Sequence, residues 1–153
     1  MPKVLLDVPH RHQKLRADCL PSCVAMVLDY FKCPIAYSRL ITLLGTCDFG
    51  TPAENIVRLE DLNSIIKVTL FHTDVDALQR HLEAGWPVIA FVNTSDLHYW
   101  SEATDHALVV VGMDDDAFYV NDPYLNQAPQ RVPRIHFELA WFRFDNLCAV
   151  VTV

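Results

Sequence analysis

A glutamine and a cysteine stand six residues apart in QKLRADCLPSCVAM, residues 13–26, and could do covalent chemistry together. Asp18 is a residue type that caps helices, and Pro21 is tolerated in a first helical turn, so we expect a helix that begins at Cys19. The positive end of the helix dipole lies at such a position and favours a thiolate over a thiol. Cys19 is therefore a candidate nucleophile, although a lone cysteine at a helix end is more often a small apolar residue. Cys23, one turn further on, is expected in the core.

A thiolate nucleophile needs a histidine that holds its proton and a third group that orients the imidazole. His106 begins the apolar run HALVVVG, and Asp122 follows the returning strand in YVNDP. If the hairpin between them is centred on Asp114, His106 lies directly across from Asp122 on one face. A change of one residue in the register would separate them, and Asp105 and Asn121 are then the alternative orienting groups.

An acyl-transfer site also needs hydrogen-bond donors for the oxyanion. The backbone N–H of Cys19 is one candidate, and the side-chain amide of Gln13 is the other if the intervening loop folds back over the helix start. An isolated glutamine is a weak signal, but glutamine, cysteine, histidine and aspartate in this order together indicate thiol-dependent acyl transfer.

Composition excludes several other classes of function. The chain has 153 residues, 52% of them hydrophobic and 20% charged, which predicts one domain spanning residues 1–153 with a proper core. The net charge of −7 and the lack of a basic patch argue against nucleic acid as a partner. The longest apolar runs have the length of strands, so no membrane span is expected.

The five cysteines, with no export signal, predict reduced thiols in a cytoplasmic protein. Their spacing does not form a zinc site, and His10 and His12 in PHRHQ are expected on a polar turn rather than at a metal. No metal and no cofactor are predicted.

The apolar periodicity predicts helices first and mostly antiparallel strands after them, which is an α+β arrangement with a helical half packed on a sheet. A helix is expected from Cys19 to Phe31 and another from Tyr37 to Leu44, and a third is expected to open near Thr51, with Pro52 in its first turn. The remaining expected elements are the strands KVLLDVP, SIIKVTLF, WPVIAFVN and LCAVVTV, the helices DVDALQRHLEAG and FELAWFRF, and the hairpin DHALVVVGMDDDAFYVNDP.

QKLRADCLPSCVAMVLDYF resembles the first motif of the bacteriocin-processing, double-glycine leader cysteine peptidases of the papain-like superfamily, and HALVVVGMDDDAFYVNDP resembles their second. The resemblance implies a papain-like cysteine proteinase fold, in which a helical subdomain carries the nucleophile and a small antiparallel sheet carries the histidine. It also implies Cys19 as nucleophile, His106 as general base and acid, Asp122 as orienting acid and Gln13 as oxyanion donor. The implied partner is a peptide or protein substrate.

Two features depart from that family. Leu20 stands where the family usually has glycine, and it is a candidate substrate contact that narrows the cleft. Many relatives are fused to a membrane exporter, which the sequence lacks, so a separate transporter is a further candidate partner. Trp100, in the polar loop before His106, is a second candidate substrate contact. Two alternatives stay open: a catalytically silent module that binds a peptide or partner, and an amide transferase or deamidase on the same fold.

Overall fold

The helices and strands follow the predicted order in a computed structural model that describes residues 2–153. In chain order they are β1 Val4–Leu5, α1 Cys19–Tyr30, α2 Tyr37–Leu44, a 3₁₀ helix Ala53–Asp61, β2 Lys67–His72, α3 Val75–Glu83, β3 Val88–Asn93, a 3₁₀ turn Thr94–Asp96, β4 Asp105–Met113, β5 Ala117–Asn121, β6 Gln130–Pro133, α4 Arg134–Phe142 and β7 Leu147–Thr152. Within residues 2–153 the strands form one antiparallel sheet in the order β2-β7-β3-β4-β5-β6, and β1 pairs with β4. The predicted α+β class is confirmed.

Helix α1 lies at the centre of the helical half because it is apolar on nearly every side. Nine of its twelve residues are buried, and it packs against β4, α2 and β7. A helix that is hydrophobic all round must be covered on all sides. This burial holds its first residue, Cys19, at a constant place beside the sheet.

Strand β4 is buried on both faces, which explains its unbroken apolar run. Ala107, Val109 and Val111 pack in the cluster that contains α1, whereas Leu108 and Val110 pack in the cluster that contains α3 and α4. Alternate side chains of a strand point to opposite faces, and here helices cover both faces. The strand is therefore a rigid support for His106 near its start.

The hairpin of β4 and β5 has a different register from the one that the sequence predicts. Val109 pairs with Asn121 rather than with Tyr119, a displacement of two residues, and a bulge follows later in β4. A displacement by an even number keeps side chains on their predicted face. His106 and Asp122 therefore meet as diagonal neighbours instead of lying directly opposite each other.

Two further local predictions need correction. The third helix is a 3₁₀ helix that begins at Ala53, and Thr51 does not cap it, since its hydroxyl contacts that of Thr46 at 2.5 Å. Strand β6 was not predicted, because it is short and polar and ends in Pro133, features that suit the edge of a sheet and leave no periodic signal. Within residues 2–153 no helix has the length and apolar character needed to cross a membrane.

Gly112 allows β1 to approach β4. A Cβ atom at this position would lie 2.5 Å from the carbonyl oxygen of Val4. We expect Gly112→Ala to lower the free energy of unfolding by about 1–3 kcal/mol, because the backbone of β1 must move away. Urea unfolding measures this cost. Deleting residues 2–5 removes the clashing strand, so the same substitution should then cost less than about 0.5 kcal/mol; an equal cost in both backgrounds contradicts this explanation.

Candidate active site

Cys19 and Cys23 differ sharply in their surroundings although one helical turn separates them. Cys19 is the first residue of α1 and is partly exposed, whereas Cys23 is completely buried. Burial, followed by the negative charges of Cys19 and Asp122, raises the pKa of Cys23 well above its usual value. Cys23 is thus an inert core thiol, as expected, and the accessible thiol at the helix start is Cys19.

Asp18 occupies the N-cap position of α1, but its carboxylate does not cap the helix. Instead it accepts a hydrogen bond from the hydroxyl of Tyr37 at 2.9 Å, and no side-chain bond joins it to the first helical turn. Burial and then the hydrogen bond to Asp18 raise the pKa of Tyr37 to about 12, so the phenol stays protonated as a donor. The prediction that the side chain of Asp18 caps α1 is therefore wrong, although the helix begins at Cys19 as the sequence indicates.

His106 and Asp122 form a hydrogen bond in the protein interior. The ring Nε2 donates to Asp122 Oδ1 over 2.6 Å, and the side chains are 3% and 0% exposed. Nδ1 is the remaining ring nitrogen, and the imidazole lies close to the side chain of Cys19. Burial lowers the pKa of His106, but the hydrogen bond to Asp122, the proximity of Cys19 and the charges of both groups outweigh it and raise that pKa to about 9. The imidazolium form is therefore favoured at neutral pH.

The carboxylate of Asp122 is surrounded by donors. Oδ1 also accepts the backbone N–H of Tyr124 at 2.9 Å, and Oδ2 accepts the hydroxyl of Tyr99 at 2.7 Å and the indole N–H of Trp100 at 2.9 Å. Burial raises the pKa of Asp122, but the hydrogen bonds from His106, Trp100 and Tyr99 outweigh it and hold that pKa below its usual value. Asp122 is thus an ionised carboxylate whose hydrogen-bonding capacity is satisfied.

Trp100 supports this arrangement through its ring as well as its N–H. Its ring centroid lies 4.8 Å from that of His106, and the indole stacks on Tyr124 at 4.0 Å. Trp100 also lines the cleft beside Cys19, where the sequence analysis places it as a substrate contact. Sequence reasoning missed Tyr99 and Tyr124, because loop residues without periodicity give no sign of which buried group they will contact.

Gln13 lies in the same cleft with its amide engaged locally. Its Nε2 donates to the carbonyl oxygens of Leu15 and Arg16, both at 2.9 Å, and its Oε1 is buried with no hydrogen-bond partner within residues 2–153. Its backbone N–H donates to Pro123 O at 2.7 Å, which ties this segment to the turn after Asp122. Gln13 is therefore placed near the helix start, and its side chain shapes the loop that leads to Cys19.

Two cavities meet at Cys19 and His106. One, of about 480 Å³, is lined by Gln13, Trp100 and charged side chains of the loops, and the other, of about 400 Å³, is mostly apolar. Leu20 lines the apolar cavity while being almost completely buried in the core. Phe49, which the sequence analysis did not single out, stands at the rim of both.

The alternative orienting groups contact other partners. Asp105 accepts a hydrogen bond from the side chain of Asn93 at 3.3 Å, and Asn121 donates to Val8 O at 3.0 Å. In the described part of the chain, no group of three or more His, Cys, Asp or Glu side chains is arranged to hold a metal ion. His10 and His12 instead contact the carbonyl oxygens of Leu125 and Tyr124.

Comparisons with known proteins identify the family of the chain and its fold. Residues 5–149 match the family described as "Peptidase_C39 like family". No curated protein matches the chain in sequence.

Several solved structures share the fold. A putative C39-like peptidase from Bacillus anthracis aligns with a TM-score of 0.84 at 18% identity, over 100% of this chain and 98% of that one. A double-glycine-motif protease from an AMS/PCAT transporter, solved in complex with the leader peptide, gives 0.75 at 19% identity, over 97% and 94%. The peptidase domain of Streptococcus ComA, a bifunctional ABC transporter involved in a quorum-sensing pathway, gives 0.75 at 20% identity, over 94% and 96%.

The family match spans nearly the whole chain, and the structural matches cover both its helical half and its sheet. The chain therefore belongs to the Peptidase_C39-like family, and it is a cysteine-peptidase-like hydrolase with the papain-like α+β fold.

Proposed function

We propose that this protein cleaves peptide bonds with Cys19 as nucleophile, His106 as general base and acid, and Asp122 as the group that orients His106. One observation carries the proposal: a buried His106–Asp122 hydrogen bond of 2.6 Å lies beside the partly exposed thiol at the start of α1. Thiol proteolysis needs this combination of an ionisable nucleophile, a proton carrier and a fixed carboxylate.

The reaction proceeds in two steps. The thiolate of Cys19 attacks the carbonyl carbon, the imidazolium of His106 gives its proton to the leaving amine, and the C–N bond breaks to leave a thioester. Water then attacks the thioester while His106 takes its proton, and the C–S bond breaks to release the acid and restore the thiolate. The high pKa of His106 favours the ion pair that begins this cycle.

The backbone N–H of Cys19 and the side chain of Gln13 are the proposed donors to the oxyanion. Both protons of Gln13 Nε2 bond to the carbonyls of Leu15 and Arg16. In our proposal one of these bonds is exchanged for the oxyanion as the substrate carbonyl becomes tetrahedral, so that the donor acts in the transition state.

The substrate is proposed to be a peptide. The structurally similar protease of the AMS/PCAT transporter was solved in complex with a leader peptide, which supports leader peptides as the substrate class. A transporter as a separate partner is a further part of this proposal, since similar peptidase domains belong to ABC transporters.

Replacing His106 tests the proton carrier. We expect His106→Ala to lower kcat/KM for peptide cleavage by roughly 10²–10⁴-fold, because the leaving amine loses its proton donor. The same substitution should slow the reaction of Cys19 with iodoacetamide, followed by mass spectrometry from about pH 4 to 9, because the neighbouring imidazolium is gone. The control is His72→Ala, which removes an exposed histidine that also contacts an aspartate, Asp145. A His106→Ala protein that keeps most of its activity would falsify this assignment, and an inert Cys19 in the unmodified protein would favour a binding module.

Replacing Asp122 tests the origin of the high histidine pKa. A group with a raised pKa keeps its proton until the pH passes that value, so kcat/KM should fall as the pH rises through about 9. We expect Asp122→Asn to move this alkaline limit, and the NMR titration of the His106 ring, to lower pH, because the negative charge that holds the proton is gone. Asp145→Asn serves as the control, and an unchanged titration contradicts the proposal.

Replacing Gln13 separates oxyanion binding from loop support. We expect Gln13→Ala to lower kcat by about 10²–10³-fold with little change in KM, since the lost bond forms only in the transition state. Gln127→Ala, in an exposed loop, is the matched control. A lower melting temperature with kcat unchanged indicates that Gln13 only supports the loop.

A further inference from the structure

The two cavities that meet at Cys19 differ in polarity. The larger one contains the carboxylates of Asp48 and Glu102 and the cations of Lys14 and Arg16, and Arg16 forms an ion pair with Glu102 between two loops. The smaller one has none of these four residues in its lining, although Asp105 and His106 line both cavities. Most of its wall is apolar: Leu20, Phe49, Pro52, Phe91, Ala107 and Phe144. A substrate that spans Cys19 therefore meets a more highly charged wall on one side and a mostly apolar wall on the other.

The chemistry of amide cleavage assigns the two sides. The leaving group departs as an amine that becomes an ammonium ion in water, and carboxylates stabilise such a group. The larger cavity is lined by three carboxylates, those of Asp48, Glu102 and Asp105, against the cations of Lys14 and Arg16, so it suits this product better than the mostly apolar cavity does. The apolar cavity then receives the acyl part of the substrate, which stays attached to Cys19 until the thioester is hydrolysed.

The apolar cavity has room for large side chains. Its volume of about 400 Å³ lies within the range of roughly 300–1,000 Å³ that is typical of small-ligand sites. Ala107 leaves space on one wall, and Leu20 and Phe91 are fixed by the core behind it. A glycine would leave this cavity filled with water, and an apolar side chain would displace that water from an apolar wall.

Phe49 lines both cavities and forms part of the apolar wall of the smaller one. It stands at the tip of a tight turn in which Cys47 and Gly50 exchange two backbone hydrogen bonds, of 3.1 and 3.0 Å. Its side chain is 99% exposed, so nothing within residues 2–153 covers the ring. A tight turn that presents an uncovered phenyl ring beside an apolar cavity gains most when a ligand covers the ring.

We propose, building on the peptidase function above, that Phe49 and the apolar cavity select substrates with a bulky apolar residue on the acyl side of the scissile bond. The structurally similar protease from the AMS/PCAT transporter is a double-glycine-motif enzyme. Selection of a large apolar residue distinguishes this chain from that specificity. Phe49 is a specificity-determining residue that contacts substrate and takes no part in proton transfer.

The test compares two peptidyl chloromethyl ketones, acetyl-Leu-Leu and acetyl-Gly-Gly, as inactivators of Cys19. Each second-order rate constant is divided by that of the same reagent with free glutathione, and mass spectrometry locates the modified cysteine. We expect the Leu-Leu reagent to react at least about 10-fold faster. Equal rates, or faster inactivation by Gly-Gly, overturn the proposal.

Variants test the contribution of Phe49. Phe49→Ala should lower the rate with Leu-Leu by a larger factor than the rate with Gly-Gly, so that most of the advantage of Leu-Leu is lost. Phe142→Ala is the control, because Phe142 is 69% exposed on α4 and does not line either cavity. A Leu-Leu preference that survives in Phe49→Ala contradicts the assignment of this residue.

Digestion of a diverse peptide library separates failure of this inference from failure of the proposed function. Cleavage sites enriched in Leu, Ile, Phe or Met within two residues before the broken bond support both. Cleavage after Gly-Gly, or without any apolar enrichment, supports the peptidase and overturns the selectivity. An uncut library combined with the Leu-Leu preference at Cys19 leaves the selective cavity in place and overturns peptide hydrolysis.

Discussion

The hydrogen bond between His106 and Asp122 depends on a buried carboxylate, and much of the structure serves to satisfy that charge. An ionised carboxylate without partners in the protein interior is strongly destabilising. Here it accepts hydrogen bonds from His106, from Tyr99 and Trp100 in the loop before β4, and from the backbone of Tyr124 in the turn after β5. Three separate segments are held together because each supplies a donor to one side chain.

The turn after Asp122 also positions the segment that leads to Cys19. The N–H of Gln13 and the imidazoles of His10 and His12 bond to the carbonyls of residues 123–125. The chain before α1 therefore runs along the same turn that donates to Asp122. The position of Cys19 relative to His106 is set from both sides: by this segment, and by the burial of α1 against β4.

The cleft combines a rigid centre with an asymmetric lining. Cys19 and His106 come from the first turn of a buried helix and from the start of a strand buried on both faces. Most charged side chains of the larger cavity come from loops, whereas Leu20, Phe91 and Ala107 of the apolar wall come from α1, β3 and β4. Substitutions in the loops can therefore change the lining of the larger cavity while the helix and the strands hold Cys19 and His106 in place.

The sequence by itself determined the helix and the strands that position Cys19, His106 and Asp122. The start of α1 at Cys19 and the strand that begins near His106 follow from local periodicity. The shared face of His106 and Asp122 follows from the alternation of side chains along a strand, which a register displacement of two residues does not change. The tertiary structure alone decided the hairpin register and the hydrogen bond between Asp18 and Tyr37. It also decided that Tyr99 and Trp100 donate hydrogen bonds to Asp122. It also decided the bonds of Gln13 and the exposure of Phe49. These features depend on contacts between distant segments or on the irregular path of a loop. A repeat of apolar residues every two, three or four positions predicts helices and strands but not such contacts.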